Sequence, residues 1–356
     1  MGSVIIGTGV AVPPRIVTNH DLAAIMDTSD EWIYSRTGVR QRHIADPGVG
    51  ASDLAADAVV EALRDAAVAP DDVDVLITTT MTPDQFAPGI SGMVQDRCGL
   101  GHIAAFDLRQ QCGGYLYGLD LADALLASGK ARCVVVVGAE VHSGYMPYGG
   151  SWEILRGQRS GPADPIDHAA ATEARGWAVL FGDGAGAAVL TTDDSPGTGF
   201  VGSVLRTDGS HADLIEVPGV GFRHQPYVDA AQLEARAHWP SMNGMELFRQ
   251  AVTCMPAAVR EVLAGADLSV DDISLVIAHQ ANDRILEGVR KQLGVDADLV
   301  PSNIARYGNT TAATLPILLH EQRAAGGIEP GDLVCFTAFG AGAHWGASLY
   351  RVPGAR

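Results

Sequence analysis

The sequence predicts an α/β fold built from two similar halves, on three observations. Short apolar strands such as 74–80 alternate with alanine-rich helices such as 52–66 and 116–128. That order of elements is typical of buried sheets covered by helices. A glycine-rich pattern recurs, because residues 181–190 and 339–349 each predict a strand, a glycine turn and a second strand. Finally, the 42 glycines indicate many tight connections between elements.

The two halves are predicted to join near residues 191–198. Matching apolar strands at 74–80 and 275–279 each follow a helix-like segment. We therefore assign residues 1–193 to an N-terminal half and residues 194–356 to a C-terminal half. A chain of 356 residues is long enough to bury a large core in this arrangement.

The composition indicates a soluble protein of the cytoplasm. Neither a membrane span nor a signal peptide is predicted, since no run of about 18 apolar residues occurs. The five cysteines, at 98, 112, 133, 254 and 335, fit neither a disulfide framework nor a metal site. A net charge of −18 argues against a nucleic-acid partner, because phosphate contacts need a basic surface.

Cys112 is the first candidate for chemistry. It lies where an apolar segment turns through Gly113 and Gly114 into a predicted helix. The free N–H groups and the dipole at a helix start favour a thiolate, so we expect a nucleophile near neutral pH. The two glycines would let an acyl chain approach closely. A buried structural cysteine is the alternative interpretation.

Two later segments supply partners for this cysteine. His279 ends a short apolar strand and begins the run His-Gln-Ala-Asn, while Asn309 follows Gly308 at a predicted helix start. In isolation, His279 fits a core histidine and Asn309 fits a helix cap. Together, a cysteine, a histidine and an asparagine at element ends indicate thioester chemistry.

These three residues resemble the Cys-His-Asn triad of the β-ketoacyl-acyl carrier protein synthase III family, in the thiolase superfamily. Further matching blocks run nearly end to end in the family's order. They are Ile-Ile-Gly-Thr-Gly at 5–9, Asp-Thr-Ser-Asp-Glu-Trp-Ile at 27–33, Arg-Thr-Gly-Val-Arg at 36–40, Phe-Gly-Asp-Gly-Ala-Gly-Ala at 181–187, and Ala-Phe-Gly-Ala-Gly at 338–342 with Trp-Gly at 345–346. The resemblance implies a thiolase-like, five-layered αβαβα fold.

The resemblance also implies a decarboxylative condensation in two stages. An acyl-CoA would acylate Cys112, and malonyl-acyl carrier protein would then lose CO₂ and attack the acyl-enzyme. The N–H groups of Cys112 and Ala341 are expected to hold the first oxyanion, and His279 and Asn309 the enolate oxygen. Phe339 is expected to form an apolar wall near the leaving carboxylate. No metal or redox cofactor is expected, because CoA thioesters serve as substrates.

Substrate-binding residues follow from the same resemblance. Trp32 and Arg175 match positions that hold the CoA adenine, and Arg36 matches one that contacts the CoA phosphates or pantetheine. The alternatives are a core aromatic for Trp32 and a solvated surface charge for Arg175. Phe86 matches a residue that lines the acyl pocket across a dimer interface, which implies a homodimer.

A carrier protein is acidic, so its approach to this acidic chain would be repulsive at long range. We expect docking on a local basic patch formed by Arg249, Arg284 and Lys291. Arg284 and Lys291 are seven residues apart and therefore share one helix face. Arg249 and Arg284 match basic positions of the family, although ordinary surface charges are the alternative interpretation.

The sequence departs from the family within residues 145–174, where an insertion of on the order of twenty residues is long for a loop without function. We interpret it as a lid or an interface element near the substrate tunnel. Gln111, Met245 and His344 also replace the family's usual residues. These departures leave the triad intact but argue against acetyl-CoA as the ordinary primer.

Three hypotheses for function follow. The first is a condensing enzyme that primes a specialised fatty-acid or polyketide pathway. The second is an acyltransferase that moves the acyl group from Cys112 to a hydroxyl or amine, with His279 as general base. The third is a non-catalytic subunit of a heteromeric synthase. The intact triad argues against the third hypothesis, and Asn309 favours condensation over acyl transfer.

Overall fold

Two mixed β-sheets organise the chain, which a computed structural model describes over residues 2–354. The strands are β1 Gly2–Ala11, β2 Arg15–Thr18, β3 Gln41–Ile44, β4 Val75–Thr79, β5 Ala104–Leu108, β6 Cys133–Glu140, β7 Gly184–Asp193, β8 Gly199–Thr207, β9 Ile215–Glu216, β10 Ser241–Met242, β11 Leu275–Ala278, β12 Leu333–Gly340 and β13 His344–Arg351. The helices are α1 Asn19–Ala23, α2 Asp30–Thr37, α3 Ala51–Ala66, α4 Ser91–Arg97, α5 Gly114–Ala127, α6 Trp152–Leu155, α7 Pro165–Ala178, α8 Ala230–Glu234, α9 Gly244–Gly265, α10 Asp283–Leu293, α11 Ile304–Tyr307 and α12 Thr314–Ala324.

The two sheets repeat one topology. The first has the order β1-β7-β6-β4-β5 and the second the order β8-β13-β12-β11. In each sheet the first three strands are antiparallel neighbours, and the fourth joins the third in parallel. The second sheet differs at its end, where Val276 N–H donates to the Leu299 carbonyl at 2.7 Å in the place that β5 occupies in the first sheet. The prediction of an α/β fold with two similar halves is confirmed.

Five layers result from the way helices cover these sheets. Helix α3 packs on the outer face of the first sheet and α9 on the outer face of the second. Helices α5 and α12 lie between the sheets, and α5 contacts strands of both. Because both sheets cover it, α5 is apolar on most of its surface, with Leu116, Leu119 and Leu126 buried. The αβαβα layering predicted from the family resemblance is confirmed.

One predicted strand is absent. The segment 181–190 was expected to hold a strand, a turn and a second strand, as 339–349 does. Phe181 instead forms an isolated bridge to Asn309, and regular pairing begins at Gly184. The cause is the segment before α12, since Asn309 N–H donates to the Leu180 carbonyl and takes the place of a strand partner.

The segment 145–174 is folded and anchored to the rest of the protein. It includes α6 and most of α7, and Asp164 caps the start of α7 by accepting from Ile166 N–H. The Asp167 carboxylate accepts from Gly150 N–H at 2.8 Å and thereby ties the two ends of the segment together. Tyr148 and Leu155 pack in one apolar cluster with Ile33 of α2. Its role as a lid or interface element stays a prediction.

Within residues 2–354, none of the helices combines the length and apolar character that crossing a membrane requires. The same residues contain no group of three or more His, Cys, Asp or Glu side chains placed to hold a metal ion.

The close packing of α3 on β1 gives a test of the fold. A Cβ atom at Gly9 would lie 2.3 Å from the Ala58 carbonyl oxygen and 2.4 Å from Ala62 N. Gly9→Ala should therefore push the helix off the sheet and lower the free energy of unfolding by about 1–3 kcal/mol. Gly92→Ala is the control, since no atom lies within 4 Å of its added methyl. Equal denaturant midpoints for the two variants would contradict this packing.

Candidate active site

A cavity of about 380 Å³ brings together the three residues predicted to carry the chemistry. Cys112 lies just before α5, His279 just after β11, and Asn309 just before α12. Phe339 and Ala341, at the end of β12, line the same cavity. The cavity lies at this place because α5 and α12 start side by side in the middle layer, between the two sheets.

Two tight turns of the same form hold Cys112 and Asn309 in place. The 3₁₀ turn Gln111–Gly113 leads into α5, and the 3₁₀ turn Thr311–Ala313 leads into α12, and the two turns contact each other. Gln111 has φ of 52° and Thr311 has φ of 42°, so both lie in the left-handed region. That conformation is costly for a β-branched residue such as Thr311, and strain of this kind is common at functional sites.

The Cys112 thiol is buried, and its ionisation differs from the sequence prediction. Burial and the nearby Glu140 charge raise the pKa of Cys112 to about 12, although the N–H groups of Cys112 and Ala341 act to lower it. The prediction of a thiolate near neutral pH is therefore wrong for the free protein, because the cost of desolvation exceeds the effect of the helix start. The two N–H groups that face the sulfur are those predicted to hold the oxyanion.

His279 is neutral, and its hydrogen bonds fix which ring nitrogen carries the proton. Burial lowers the pKa of His279 to about 3. The Thr314 hydroxyl donates to the Thr311 carbonyl at 2.8 Å, and its oxygen lies 2.7 Å from His279 Nδ1. A hydroxyl has one proton, so Nδ1–H must donate to Thr314. The lone pair of Nε2 is then free to accept a proton.

The Asn309 side chain is oriented by its own turn. Its Oδ1 accepts from Thr311 N–H at 2.8 Å. Its backbone is held between Leu180, whose carbonyl accepts from Asn309 N–H, and Gly182, whose N–H donates to the Asn309 carbonyl. This hydrogen bond to Oδ1 fixes the orientation of the amide group. The Nδ2 hydrogens are then available as donors to a ligand in the cavity.

Glu140 is a buried carboxyl group beside the site that the sequence analysis missed. Burial raises the pKa of Glu140 to about 7. Its oxygens accept from Met81 N–H at 3.1 and 3.2 Å and from the Thr82 hydroxyl at 2.6 Å. The sequence feature that could have identified Glu140 is a single carboxylate at the end of the apolar strand β6. Thr314 was also missed, since a hydroxyl early in a helix reads as an ordinary capping residue.

The three residues predicted to bind CoA lie together at the mouth of the cavity. Arg36 lines the mouth, and its guanidinium lies 4.5 Å from the centre of the Trp32 ring. The Arg175 guanidinium lies 4.8 Å from the same ring and pairs with Asp27. Trp32 is half-buried and also packs against the apolar cluster that contains Ile33, while Arg175 contacts its ring. The binding of CoA by these residues stays a prediction.

The remaining predicted residues lie around the mouth or outside it. Arg284 lines the mouth and donates to the Ser35 carbonyl at 2.9 Å. Arg249 on α9 is exposed and pairs with Glu246, and Lys291 on α10 is exposed. Phe86 lies outside the cavity, is 51% exposed, and packs edge-on against Phe222.

The residues that depart from the family have different environments. Met245 lies at the rim of the cavity and is 85% exposed. His344 lies outside the cavity lining, with Nδ1 2.9 Å from the Thr207 hydroxyl. Gln111 supplies the left-handed residue of the cysteine turn, as described above.

Family models match two parts of the chain. The model described as 3-oxoacyl-[acyl-carrier-protein (ACP)] synthase III matches residues 106–152 and 163–209. The model described as its C-terminal part matches residues 263–352. These matches contain Cys112, His279 and Asn309.

Individual relatives match over nearly the full length. β-Ketoacyl-[acyl-carrier-protein] synthase III of Desulfitobacterium hafniense is 38% identical, covering 98% of this chain and 97% of the relative. The enzyme of the same name from Paramagnetospirillum magneticum is 40% identical, covering 98% of this chain and 99% of the relative. Among solved structures, 3-oxoacyl-[acyl-carrier-protein] synthase III from Aquifex aeolicus has a TM-score of 0.83 at 37% identity, covering 98% of this chain and 100% of the other. A priming β-ketosynthase of a polyketide biosynthetic pathway has a TM-score of 0.84 at 29% identity, covering 100% of this chain and 97% of the other.

The raised pKa of Cys112 predicts how its reactivity depends on pH. Alkylation of Cys112 by iodoacetamide, followed by peptide mass spectrometry, should accelerate about tenfold per pH unit from neutral to strongly alkaline pH, because only the thiolate reacts. Glu140→Gln should speed the reaction at a given pH, since it removes a negative charge that raises this pKa. A rate that is already at its plateau near pH 7 would indicate a thiolate and contradict this account.

Proposed function

Because the chain belongs to the 3-oxoacyl-[acyl-carrier-protein] synthase III family, we propose that it condenses an acyl group from acyl-CoA with malonyl-acyl carrier protein. The product is a β-ketoacyl thioester that primes a fatty-acid or polyketide chain. The observation that carries the proposal is the cavity in which a buried cysteine, a histidine with a free Nε2 and an asparagine with free amide hydrogens meet.

The first stage acylates the cysteine. As the thioester carbon approaches, the Cys112 proton passes to His279 Nε2, because the free thiol is too weakly acidic to ionise alone. The sulfur bonds to the acyl carbon, the bond from that carbon to the CoA sulfur breaks, and the proton leaves on CoA. The N–H groups of Cys112 and Ala341 stabilise the oxyanion of the intermediate.

The second stage forms the carbon–carbon bond. The bond to the malonyl carboxylate breaks, CO₂ leaves, and its electron pair forms an enolate whose oxygen accepts from Asn309 Nδ2. His279 donates to the same oxygen as its other neutral tautomer. Between the two stages Nδ1 releases its proton to solvent, Nε2 takes up a proton from solvent, and the Thr314 hydroxyl turns from the Thr311 carbonyl to donate to Nδ1. Attack of the enolate carbon on acyl-Cys112 then releases the thiolate, which takes up a proton again. Phe339 supplies an apolar wall that disfavours the charged carboxylate before it leaves.

Acyl transfer to a hydroxyl or amine is the second candidate. The free lone pair on His279 Nε2 favours it, because a general base would activate such an acceptor. Asn309 argues against it, since an amide donor has a clear role only when an enolate oxygen forms.

We propose a surface site for each of the two substrates. CoA would bind across Trp32, Arg36 and Arg175, with the acyl group reaching Cys112 through the mouth. The carrier protein would dock on Arg249, Arg284 and Lys291, of which Arg284 borders that mouth. The reaction needs no resident cofactor, and we place it in the cytoplasm, consistent with five free cysteines.

A homodimer is part of this proposal. Strand β5 lies at the edge of the first sheet, and its Phe106 is 40% exposed. An exposed apolar edge strand favours association with another chain. Pairing of β5 between two copies would cover this edge and would let Phe86 of one subunit line the acyl pocket of the other. The insertion within 145–174 would then lie near the tunnel as a lid or interface element.

The proposal is tested by intact-protein mass spectrometry with a panel of acyl-CoAs, followed by a chase with malonyl-acyl carrier protein. Cys112 should gain the acyl mass and lose it on the chase, with release of CO₂ and a β-ketoacyl product. Asn309→Ala should acylate normally and lose at least about 100-fold in condensation, because one enolate donor is gone. Cys112→Ala should fold but not acylate. An adduct that survives the chase and clears only with a hydroxyl or amine would establish acyl transfer instead.

The assigned proton position on His279 predicts a role for Thr314. Thr314→Val should slow acylation of Cys112 at least about tenfold. Without the Thr314 oxygen as acceptor, the tautomer with its proton on Nδ1 is no longer favoured, and Nε2 is unprotonated in a smaller fraction of molecules. Thr314→Ser keeps the hydroxyl and should restore most of the rate. The time course of the acyl-enzyme mass measures both. Equal rates for the valine and serine variants would contradict the role.

A further inference from the structure

Met81 separates the cavity that holds Cys112 from a second one. It lines the Cys112 cavity and also a neighbouring cavity of about 390 Å³, bordered by Phe86, Arg109 and Tyr145. Of the residues that line the Cys112 cavity, Met81 is the only one that also lines the second cavity among the described residues. The Met81 side chain is therefore the partition between the two spaces.

The partition lies beside the buried cysteine and is not among the exposed residues that mark the mouth. Arg36, Arg284 and Met245 line the cavity and are exposed, so they mark the side by which substrate enters. Cys112 is buried, and Met81 lies close to it, because Met81 N–H donates to Glu140, the carboxyl group whose charge acts on the Cys112 thiol. An acyl chain on the Cys112 sulfur that extends away from the mouth therefore meets Met81 before it can reach the second cavity.

The backbone of the partition is fixed by Glu140. This buried carboxylate accepts from the N–H groups of Met81 and Thr82 and from the hydroxyls of Thr80 and Thr82. Four donors from three consecutive residues thus converge on one side chain. A methionine side chain is flexible, but an anchor of this kind prevents the loop itself from moving aside for a longer chain.

We infer that Met81, anchored through Glu140, determines the starter specificity by ending the acyl pocket and restricting it to short acyl chains. The inference rests on the proposed function, in which Cys112 carries the starter. The second cavity is the space that a longer acyl chain would occupy if the methionine side chain were removed. Met81 is thus a specificity-determining residue and takes no part in the chemistry.

The experiment compares the full-length protein with Met81→Ala on acyl-CoAs from acetyl to dodecanoyl. The rate of Cys112 acylation is followed by intact mass. The unaltered protein should prefer short chains of up to about four carbons. Met81→Ala should raise the ratio of octanoyl to butyryl rates about tenfold or more, because the partition is gone. A gain on long chains cannot arise from misfolding. Met245→Ala is the matched control, since a methionine at the mouth should change all rates alike and leave the chain-length order unaltered.

A second panel separates this inference from the proposed function. Alkyl methanethiosulfonates of the same chain lengths form a disulfide with Cys112 and release methanesulfinate, without any recognition of CoA. If Met81→Ala favours long chains with these reagents while no acyl-CoA acylates either protein, the proposed function fails and the inference about the pocket stands. An unchanged chain-length order for Met81→Ala in both panels would overturn the inference.

Discussion

The site depends on the contact between two strained turns at the centre of the molecule. The turns Gln111–Gly113 and Thr311–Ala313 each begin a helix of the middle layer, and each contains a residue with positive φ. Neither turn would keep this conformation in isolation, because it is unfavourable for glutamine and more so for threonine. Packing of α5 and α12 between two sheets supplies the constraint, and the positions of Cys112 and Asn309 follow from it.

The interior location of the turns also decides the chemistry of the site. A helix start in water would lower the pKa of a cysteine, but here burial raises it to about 12. The nucleophile is consequently made only when a base accepts its proton. The hydrogen bonds from His279 to Thr314 and from Thr314 to Thr311 leave the histidine able to do so. The pKa of Cys112, the tautomer of His279 and the backbone strain at Thr311 thus depend on the same small region of the structure.

Local pattern was sufficient to predict the α/β class and the doubled topology, because strand periodicity and the recurring glycine pattern are properties of short segments. The convergence of Cys112, His279 and Asn309 was predicted from their positions at element ends and from the family resemblance. The protonation state of Cys112 was not predicted correctly, because the sequence shows a helix start but does not show how deeply that helix start is buried. Glu140, Thr314 and Met81 were missed for the same reason, since their roles come from partners more than 30 residues away.

The buried Glu140 has a further consequence for the stability of the protein. Its pKa is raised from an ordinary 4.5 to about 7, so the folded chain binds this proton more tightly than the unfolded chain does. The stabilisation that this proton gives is complete below about pH 4.5 and is lost as the pH rises through 7. At neutral and alkaline pH the fold therefore carries a carboxylate that weakens it, beside the cysteine. Such a trade of stability against function is expected where a charged group organises a reactive centre.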